Sequence, residues 1–181
     1  MKINCLNTFY RLLHPKVATL IASIDRSGKT NIMAAAWTTP VSINPPLVAV
    51  SISPKRYTHS LIQESKEFTL NIPSKTLVEK VHICGTRSGR EVDKVAIAKL
   101  NLKPAKHLKT PVIDECIGNM ECKLWGTIPT GDHTLFIGEV LAAYVNEKLF
   151  TDSWSENAEV LIHVGGEIYT SPSKPFIRIV S

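Results

Sequence analysis

The sequence lacks the features that mark membrane, secreted and low-complexity proteins. No apolar run approaches the roughly 20 residues that a bilayer-spanning helix needs, so we expect no membrane-spanning segment. The first residues contain neither a long apolar run nor a small-residue cleavage site, which argues against a secretory signal and favours the cytoplasm. With only 9 glycines and 11 prolines in 181 residues, collagen-like and low-complexity chains are also excluded.

The sequence is equally poor in motifs that carry catalysis or bind metals. It contains no GxSxG, HExxH, GxGxxG or GxxxxGK[ST] pattern. Its cysteines form no CxxC pair, so we expect free thiols and no metal site at Cys5, Cys84, Cys116 and Cys122. A chain without an evident nucleophile or metal site suggests that a bound cofactor carries the chemistry.

The composition is that of one globular domain, which we expect to span residues 1–181. Hydrophobic residues make up 44% and charged residues 20%, close to the average of folded domains. The formal net charge of +5 suits an anionic partner. Neither an RNA-binding aromatic motif nor a zinc-finger spacing is present, so a phosphorylated small molecule is preferred to nucleic acid.

The pattern of apolar residues and turns predicts a mainly β protein. Strands are predicted at 17–25, 30–39, 47–53, 67–72, 120–127 and 135–144, with a last hairpin at 160–169. Short helices are predicted to begin at Thr58 and Ser74, each residue acting as an N-cap, and Gly85 is expected to end the second helix. Residues 85–95 are predicted to be a loop, and Gly138 to mark a bulge or close approach. Many strands joined by hairpins, with few short helices, favour an antiparallel β-barrel over an α/β sheet.

Two polar segments have the chemistry of anion sites. In SPKRYTHS, Lys55 and Arg56 stand beside a predicted helix N-terminus, where free N–H groups and the helix dipole suit a phosphate. The alternative is a solvated turn in which Thr58 only caps its own helix. In CGTRSGREVDK, glycines, hydroxyls and cations can present N–H groups to an anion, or they form a flexible surface connection.

Three further features concern a flat ligand. The alanines in TNIMAAAWTT are poor strand formers, which indicates close approach of a flat group or a tight core crossing. His133 in the GDH turn is a candidate proton donor or ligand contact, or simply part of the turn. The three tryptophans are possible stacking surfaces, although core packing is the better interpretation for each of Trp37, Trp125 and Trp154.

A series of sequence blocks in order resembles the flavin reductase-like family, the FMN-binding split-barrel group that includes flavoredoxin and archaeal ferric reductase-type proteins. The blocks are VATLIAS, GxxNIMAAAW, NPPLVAVSI, RYTHSLI, EFTLNIP, CGTRSGREVDK and GDHTLFIGEV, and they cover about residues 17–169. CGTRSGREVDK is the most distinctive and is similar to the flavoredoxin branch. One departure is Val95, where the family normally has an aromatic residue.

The resemblance implies an antiparallel six-stranded split β-barrel of Greek-key type with a few short peripheral helices. It also implies a homodimer with FMN held noncovalently near the subunit interface. By matching motif, the residues implied to line the flavin ring are Ala35, Ala36, Trp37 and Thr38, with Ser51 and Ser53 beside the ribityl chain. Those implied at the phosphate, or closing the pocket, are Arg56, Thr58, Asn71, Ile72, Pro73, Gly85, Ser88, Gly89, Arg90 and Lys94, while His133 is implied to meet the ring or the incoming reductant.

The function implied by the resemblance is that of an FMN-dependent oxidoreductase. We expect hydride transfer from NAD(P)H to bound FMN and onward transfer to free flavin, a ferric complex or a redox partner protein. The alternative is a flavoredoxin-like electron carrier that holds FMN but has no nicotinamide site of its own. A nucleic-acid-binding β-barrel, suggested only by the basic charge, ranks third.

Overall fold

The structure, a computed structural model, describes residues 1–155 and 157–172 and consists mainly of antiparallel strands. The strands are β1 Lys16–Val17, β2 Thr19–Ile24, β3 Thr30–Ala35, β4 Thr38–Ser42, β5 Leu47–Ile52, β6 Glu67–Ile72, β7 Leu102–Lys103, β8 Val112–Ile113, β9 Gly118–Thr130, β10 His133–Val145, β11 Ile162–Gly165 and β12 Ile168–Thr170. The α-helices are α1 Tyr57–Ser65, α2 Val78–Thr86 and α3 Lys94–Ile97, and 3₁₀-helices span Leu6–Leu13 and Lys75–Leu77.

The main sheet closes into a split barrel. Its seven strands lie in the order β3-β2-β6-β9-β10-β5-β4, so β3 and β4 are its two edges. Strands about 4.8 Å apart would separate the edges of a flat sheet by roughly 29 Å. Only Ala36 and Trp37 join β3 to β4, a connection that reaches roughly 11 Å, so the sheet must curl until its edges meet.

The closure confirms the predicted fold class and corrects one strand. Residues 30–39 form two strands rather than the single strand predicted, because the chain turns at Ala36 and Trp37 to reach the other edge. The Trp37 carbonyl accepts a hydrogen bond of 3.0 Å from the Ser51 N–H of β5, and this bond holds the turn beside β5. Counted as one interrupted run, β3 and β4 give the barrel six strand positions.

Two apolar clusters hold the barrel and its helices together. The first fills the barrel and is built on the fully buried Phe68 and Phe136. The second lies on the other face of β2 and β3, where Ile32 and Leu20 pack against Val81 of α2. The second cluster therefore fixes α2 and the segment that follows it beside β3.

Three local predictions need correction. Arg56, not Thr58, occupies the N-cap position of α1, and Thr58 lies inside the first turn. Ser74 does occupy an N-cap position, but it is that of the 3₁₀-helix Lys75–Leu77 rather than of α2, and its side chain makes no capping hydrogen bond. The helix α2 continues through Gly85, whose missing side chain lets it pack on Ala34, since a Cβ there would lie 3.3 Å from the Ala34 Cβ.

The segment after α2 also holds more structure than predicted. The predicted loop 85–95 ends at α3, whose N-cap Asp93 accepts a hydrogen bond of 3.1 Å from the Ala96 N–H. The stretch at 100–111, which has no predicted element, includes β7, which pairs with β8. Short elements of two to four residues leave too little periodicity to be identified from sequence.

Gly138 provides a test of the barrel interior. It lies at a register shift in β10, and a Cβ there would stand 2.6 Å from Cζ of the fully buried Phe68. Both the bulge and the close approach predicted from sequence are therefore present. We expect Gly138→Ala to lower the free energy of unfolding by about 1–3 kcal/mol, because the buried ring has to move.

Urea denaturation of the two proteins measures this difference. The matched control is Gly126→Ala in β9, where a Cβ would meet no atom within 4 Å. A Gly138→Ala variant as stable as the Gly126→Ala variant would contradict the packing described here.

Candidate functional site

A continuous groove follows β3, the edge strand that carries Ala34 and Ala35 and leads into Ala36. One part, the cationic cavity, has a volume of about 390 Å³ and is lined among others by Lys55, Arg56, Thr58, Ser88, Gly89, Arg90 and Lys94. The next part, the strand-edge cavity, has about 600 Å³ and is lined among others by Ala35, Ala36, Trp37, Ser51, Ser53 and His133. The two parts are continuous because both are lined by Met33, Ala34, Lys55 and Arg56.

A third, smaller space adjoins both parts. This hairpin cavity of about 200 Å³ lies between β3, α2 and the β11–β12 hairpin, with His82, His163 and Tyr169 in its wall. It shares Ala35 and Ala36 with the strand-edge cavity. The volumes of the cationic and strand-edge cavities fall within the roughly 300–1,000 Å³ typical of small-molecule sites.

The cationic cavity concentrates positive charge, because Lys and Arg side chains far outnumber its one lining carboxylate, Glu91. Within the described part of the chain, Lys55, Arg56, Arg90 and Lys94 form no ion pair. Like charges gathered around one concave space repel one another and raise the local potential. The cavity is therefore complementary to an anion that carries more than one charge.

Of these cations, Lys94 gives the strongest indication of an anion site because it is buried. Only 5% of it is exposed, and burial, with a smaller effect from Arg56, lowers the pKa of its ammonium group. Its Nζ donates one hydrogen bond of 3.0 Å, to the Cys84 carbonyl, and no other within the described residues. A buried ammonium with unused hydrogens is costly unless an anion meets it.

The start of α1 adds uncharged donors to the same cavity. No side chain caps this helix, so within the described residues the N–H groups of Tyr57 and Thr58 remain available, as at helix termini that bind phosphates. Thr58 is only 1% exposed, and its Oγ1 accepts a hydrogen bond of 2.9 Å from Asn31 Nδ2. Its own O–H donates no hydrogen bond within the described residues and is free for a ligand.

Arg90 joins the two walls of the cationic cavity. Its Nη1 donates to the Lys55 carbonyl at 3.2 Å, and its guanidinium carbon lies 5.0 Å from the centre of the Tyr57 ring. The segment 87–93 is thereby fixed to the start of α1. The positive charge of Arg90 stays beside the cavity because neither partner is a carboxylate.

The strand-edge cavity offers a flat backbone surface. Because β3 has a partner on one side only, every second N–H and C=O group points away from β2. The small side chains of Ala34, Ala35 and Ala36 leave this edge accessible. Such an edge can donate to and accept from the polar rim of a planar heterocycle.

The end of the strand-edge cavity is lined by aromatic side chains. The rings of Trp37 and His133 lie 5.0 Å apart, and Tyr10 lies 5.8 Å from Trp37. His133 Nδ1 donates to the Asp132 carboxylate at 2.8 Å, and this hydrogen bond lowers the pKa of Asp132. With its hydrogen on Nδ1, the neutral ring has an acceptor at Nε2.

Most of the residues predicted from sequence lie together in this groove. The structure brings to it Ala35, Ala36, Trp37, Ser51, Ser53, Arg56, Thr58, Gly85, Ser88, Gly89, Arg90, Lys94 and His133. Trp37 is the tryptophan that lines it, whereas Trp125 is exposed and Trp154 packs against the barrel core.

Four predicted site residues do not line the groove. Thr38 and Ile72 face a separate apolar cavity of about 590 Å³, Thr38 because the chain has already turned into β4. Asn71 is fully buried in β6, where its Nδ2 donates to the Leu20 carbonyl at 3.0 Å and its Oδ1 accepts from the Ile113 N–H at 3.0 Å. The Pro73 carbonyl accepts a hydrogen bond from the Leu161 N–H. These polar groups of Asn71 and Pro73 therefore bond to the protein itself.

Several residues of the groove have no signal in the sequence. Tyr10 and His14 come from the N-terminal segment and His163 from β11, and all three line the strand-edge cavity. His14 Nδ1 is 3.2 Å from the His163 carbonyl oxygen, which ties the two segments together. Isolated aromatic residues at these separations form no motif, so only the folded chain reveals them.

Metal and thiol chemistry have little support at this site. Cys84 lines the cationic cavity, but burial raises its pKa to about 11, so the thiol stays protonated at neutral pH. Across residues 1–155 and 157–172 there is no group of three His, Cys, Asp or Glu side chains placed to hold a metal ion.

No helix within residues 1–155 and 157–172 is long and apolar enough to span a membrane.

Comparison with known proteins gives consistent results. The sequence model of the family described as flavin reductase like domain matches residues 10–170. An uncharacterised protein of Pyrococcus abyssi is 40% identical over 141 residues, covering 78% of this chain and 80% of that protein. The FMN-binding protein of Thermus thermophilus superposes with a TM-score of 0.88 at 28% identity, covering 99% of this chain and 98% of the other. Flavoredoxin of Methanosarcina acetivorans superposes with a TM-score of 0.85 at 30% identity, covering 98% and 94%.

Proposed function

Because the chain belongs to the flavin reductase-like domain family, we propose that it is an FMN-dependent oxidoreductase that holds FMN noncovalently in the groove along β3. The observation that carries the proposal is buried Lys94, whose spare hydrogens stand among unpaired cations at one end of a groove with an open strand edge. A phosphate would neutralise the cations, and a planar heterocycle would lie along the alanines. FMN carries both groups in one molecule.

The residues divide into three roles in this proposal. Lys94, Arg56 and Arg90 would hold the phosphate with the Thr58 and Ser88 hydroxyls, since charge-assisted hydrogen bonds are the strongest in proteins. Ser51 and Ser53 would meet the ribityl hydroxyls. The free N–H groups of β3 would bond the polar rim of the ring and tune its electronics.

The redox chemistry itself would come from the cofactor. When bound, FMN supplies two-electron hydride chemistry, and the protein supplies binding, orientation and tuning. The Nδ1–H of His133 would remain hydrogen-bonded to the Asp132 carboxylate, and Nε2 would face a molecule in the strand-edge cavity. No single side chain is needed as a nucleophile, in keeping with the absence of such a motif.

The hydride donor in this proposal is NAD(P)H, and the acceptor is free flavin, a ferric complex or a redox partner protein. The likeness to flavoredoxin supports a second candidate, an FMN electron carrier without a nicotinamide site. The two candidates share the groove and differ only in the source of the electrons.

We also propose that the chain forms a homodimer. The N-terminal 3₁₀-helix exposes Leu6, Phe9, Leu12 and Leu13 and has no buried residue, although its Tyr10 lines the strand-edge cavity. An exposed apolar face of this kind is typical of an interaction surface. A second copy that covers it would lie next to the proposed ring site, and light scattering of the eluting protein measures the mass directly.

Absorbance spectroscopy tests the proposed function. We expect the purified protein to bind FMN at about one per chain, with a flavin spectrum that NADH or NADPH bleaches under anaerobic conditions. Bound FMN that neither nucleotide reduces would favour the electron carrier. A protein that fails to bind added FMN would refute both.

A further inference from the structure

Asn31 connects two walls of the cationic cavity, although no sequence motif gives it a role. It lies on β3 beneath the cavity and is 7% exposed. Its Nδ2 donates a hydrogen bond of 2.9 Å to Thr58 Oγ1. Its Oδ1 is buried and has no hydrogen-bond partner within the described residues.

The direction of the Asn31 hydrogen bond determines what Thr58 can do. A hydroxyl has a single hydrogen, and here an oxygen lone pair is already occupied by the Asn31 N–H. The Thr58 hydrogen must then point to another acceptor. A threonine in a helix often donates to a backbone carbonyl of its own helix, but Thr58 makes no such bond, and it lines the cationic cavity.

The other end of the Asn31 amide faces the segment that follows α2. A Cβ on Gly89 would lie 1.9 Å from Asn31 Oδ1 and 3.2 Å from Tyr57 Cδ1. Only glycine allows the segment to lie this close. One amide therefore touches both Thr58 of α1 and Gly89 of the opposite wall.

We infer that Asn31 is a positioning residue that orients the Thr58 hydroxyl as a donor to a phosphate oxygen. The inference rests on the proposed function, because the phosphate is that of FMN. It predicts that Asn31 strengthens the binding of FMN but not that of riboflavin, which has the same ring and ribityl chain without the phosphate. Its contribution is therefore to selectivity for the phosphorylated flavin.

Fluorescence titration of the apoprotein with FMN and with riboflavin tests this role. We expect Asn31→Ala to weaken FMN binding by about tenfold or more, the scale of a lost hydrogen bond to a charged group, with riboflavin binding unchanged. Thr58→Val should show the same loss, whereas Thr58→Ser, which keeps the hydroxyl, should retain most of the FMN affinity.

The double variant separates an action through Thr58 from an independent one. If Asn31 acts by orienting that hydroxyl, the protein with both Asn31→Ala and Thr58→Val should bind FMN no more weakly than Thr58→Val alone. Full additivity of the two losses would overturn the inference. Thermal unfolding of each apoprotein shows whether the barrel is intact.

Gly89→Ala reaches the same contact from the other side. The new Cβ has to displace the end of the Asn31 side chain, so we expect the FMN-specific loss seen with Asn31→Ala. Gly126→Ala, at an open position of β9, is the matched control and should bind both flavins as the wild type does.

The outcomes distinguish this inference from the proposed function. A wild-type protein that binds FMN no better than riboflavin would refute the phosphate site itself. A wild-type protein that prefers FMN, together with an Asn31→Ala variant that keeps the preference or loses both flavins equally, would overturn only the role of Asn31.

Discussion

Replacing Lys94 with methionine should weaken FMN binding by about ten- to hundredfold, the scale of lost hydrogen bonds between charged groups. Riboflavin should bind as it does to the wild type, because Lys94 lines the cationic cavity and not the strand edge. Methionine has a similar volume, so the packing of α3 on Cys84 and β3 should survive. Fluorescence titration with the two flavins measures both affinities.

The same substitution should leave the empty protein at least as stable as the wild type. Burial lowers the pKa of Lys94, which means that its ammonium is less favourable in the folded chain than in the unfolded one. At neutral pH this charge therefore opposes folding, and its removal relieves that cost. A residue that lowers stability while strengthening ligand binding is characteristic of a functional site.

Lys103→Met is the matched control for Lys94→Met. Lys103 lies on β7 and pairs with Asp114, and its side chain is 63% exposed, so both FMN affinity and stability should stay close to the wild-type values. If Lys94→Met binds FMN as tightly as the control, the buried ammonium does not hold the phosphate.

Two turns between neighbouring strands were predictable because they have chemical signatures. Gly28, with a positive φ of 85°, closes the β2–β3 hairpin, and Gly131, at 68°, closes the β9–β10 hairpin. The break at Ala36 and Trp37 carries no such signature. It results from closure of the whole barrel, which no local pattern encodes.

The candidate site was predictable where its chemistry is local. Arg56, Thr58 and Lys94 belong to polar segments whose composition already indicates an anion. Asn71 illustrates the opposite case, because a buried amide that joins strands and one that binds a ligand have the same sequence. The position of β6 in the middle of the sheet decides between them.

The roles of Thr58 and Asn31 show how tertiary structure redirects a local prediction. From the sequence, the Thr58 hydroxyl is predicted either to cap its own helix or, by the family resemblance, to contact the phosphate. In the folded chain it accepts from Asn31, a residue 27 positions earlier, and its hydrogen is released toward the cavity. This contact with Asn31, which sequence spacing does not predict, leaves the Thr58 hydrogen available to a ligand in the cavity.

Replacing Ala36 with leucine should prevent FMN from copurifying with the protein. Ala36 lines both the strand-edge and the hairpin cavities, so a leucine side chain would occupy the space beside β3. We expect FMN affinity to fall by at least about tenfold, since overpacking of a fitted site costs about 1–3 kcal/mol. Unlike Lys94→Met, this variant should lose riboflavin as well, because the obstruction concerns the ring that both flavins share.

The fold should survive the Ala36→Leu substitution because Ala36 lies in the connection between β3 and β4, outside the buried clusters. Ala96→Leu, at an exposed position of α3, adds the same side chain away from the groove. This variant should keep the flavin absorbance of the purified protein and the affinities for both flavins unchanged. Lys94→Met and Ala36→Leu together thus distinguish the two ends of the groove. Lys94→Met should remove the selectivity for the phosphorylated flavin, whereas Ala36→Leu should weaken the binding of both flavins. An Ala36→Leu protein that still purifies with bound FMN would show that the ring does not lie along this strand.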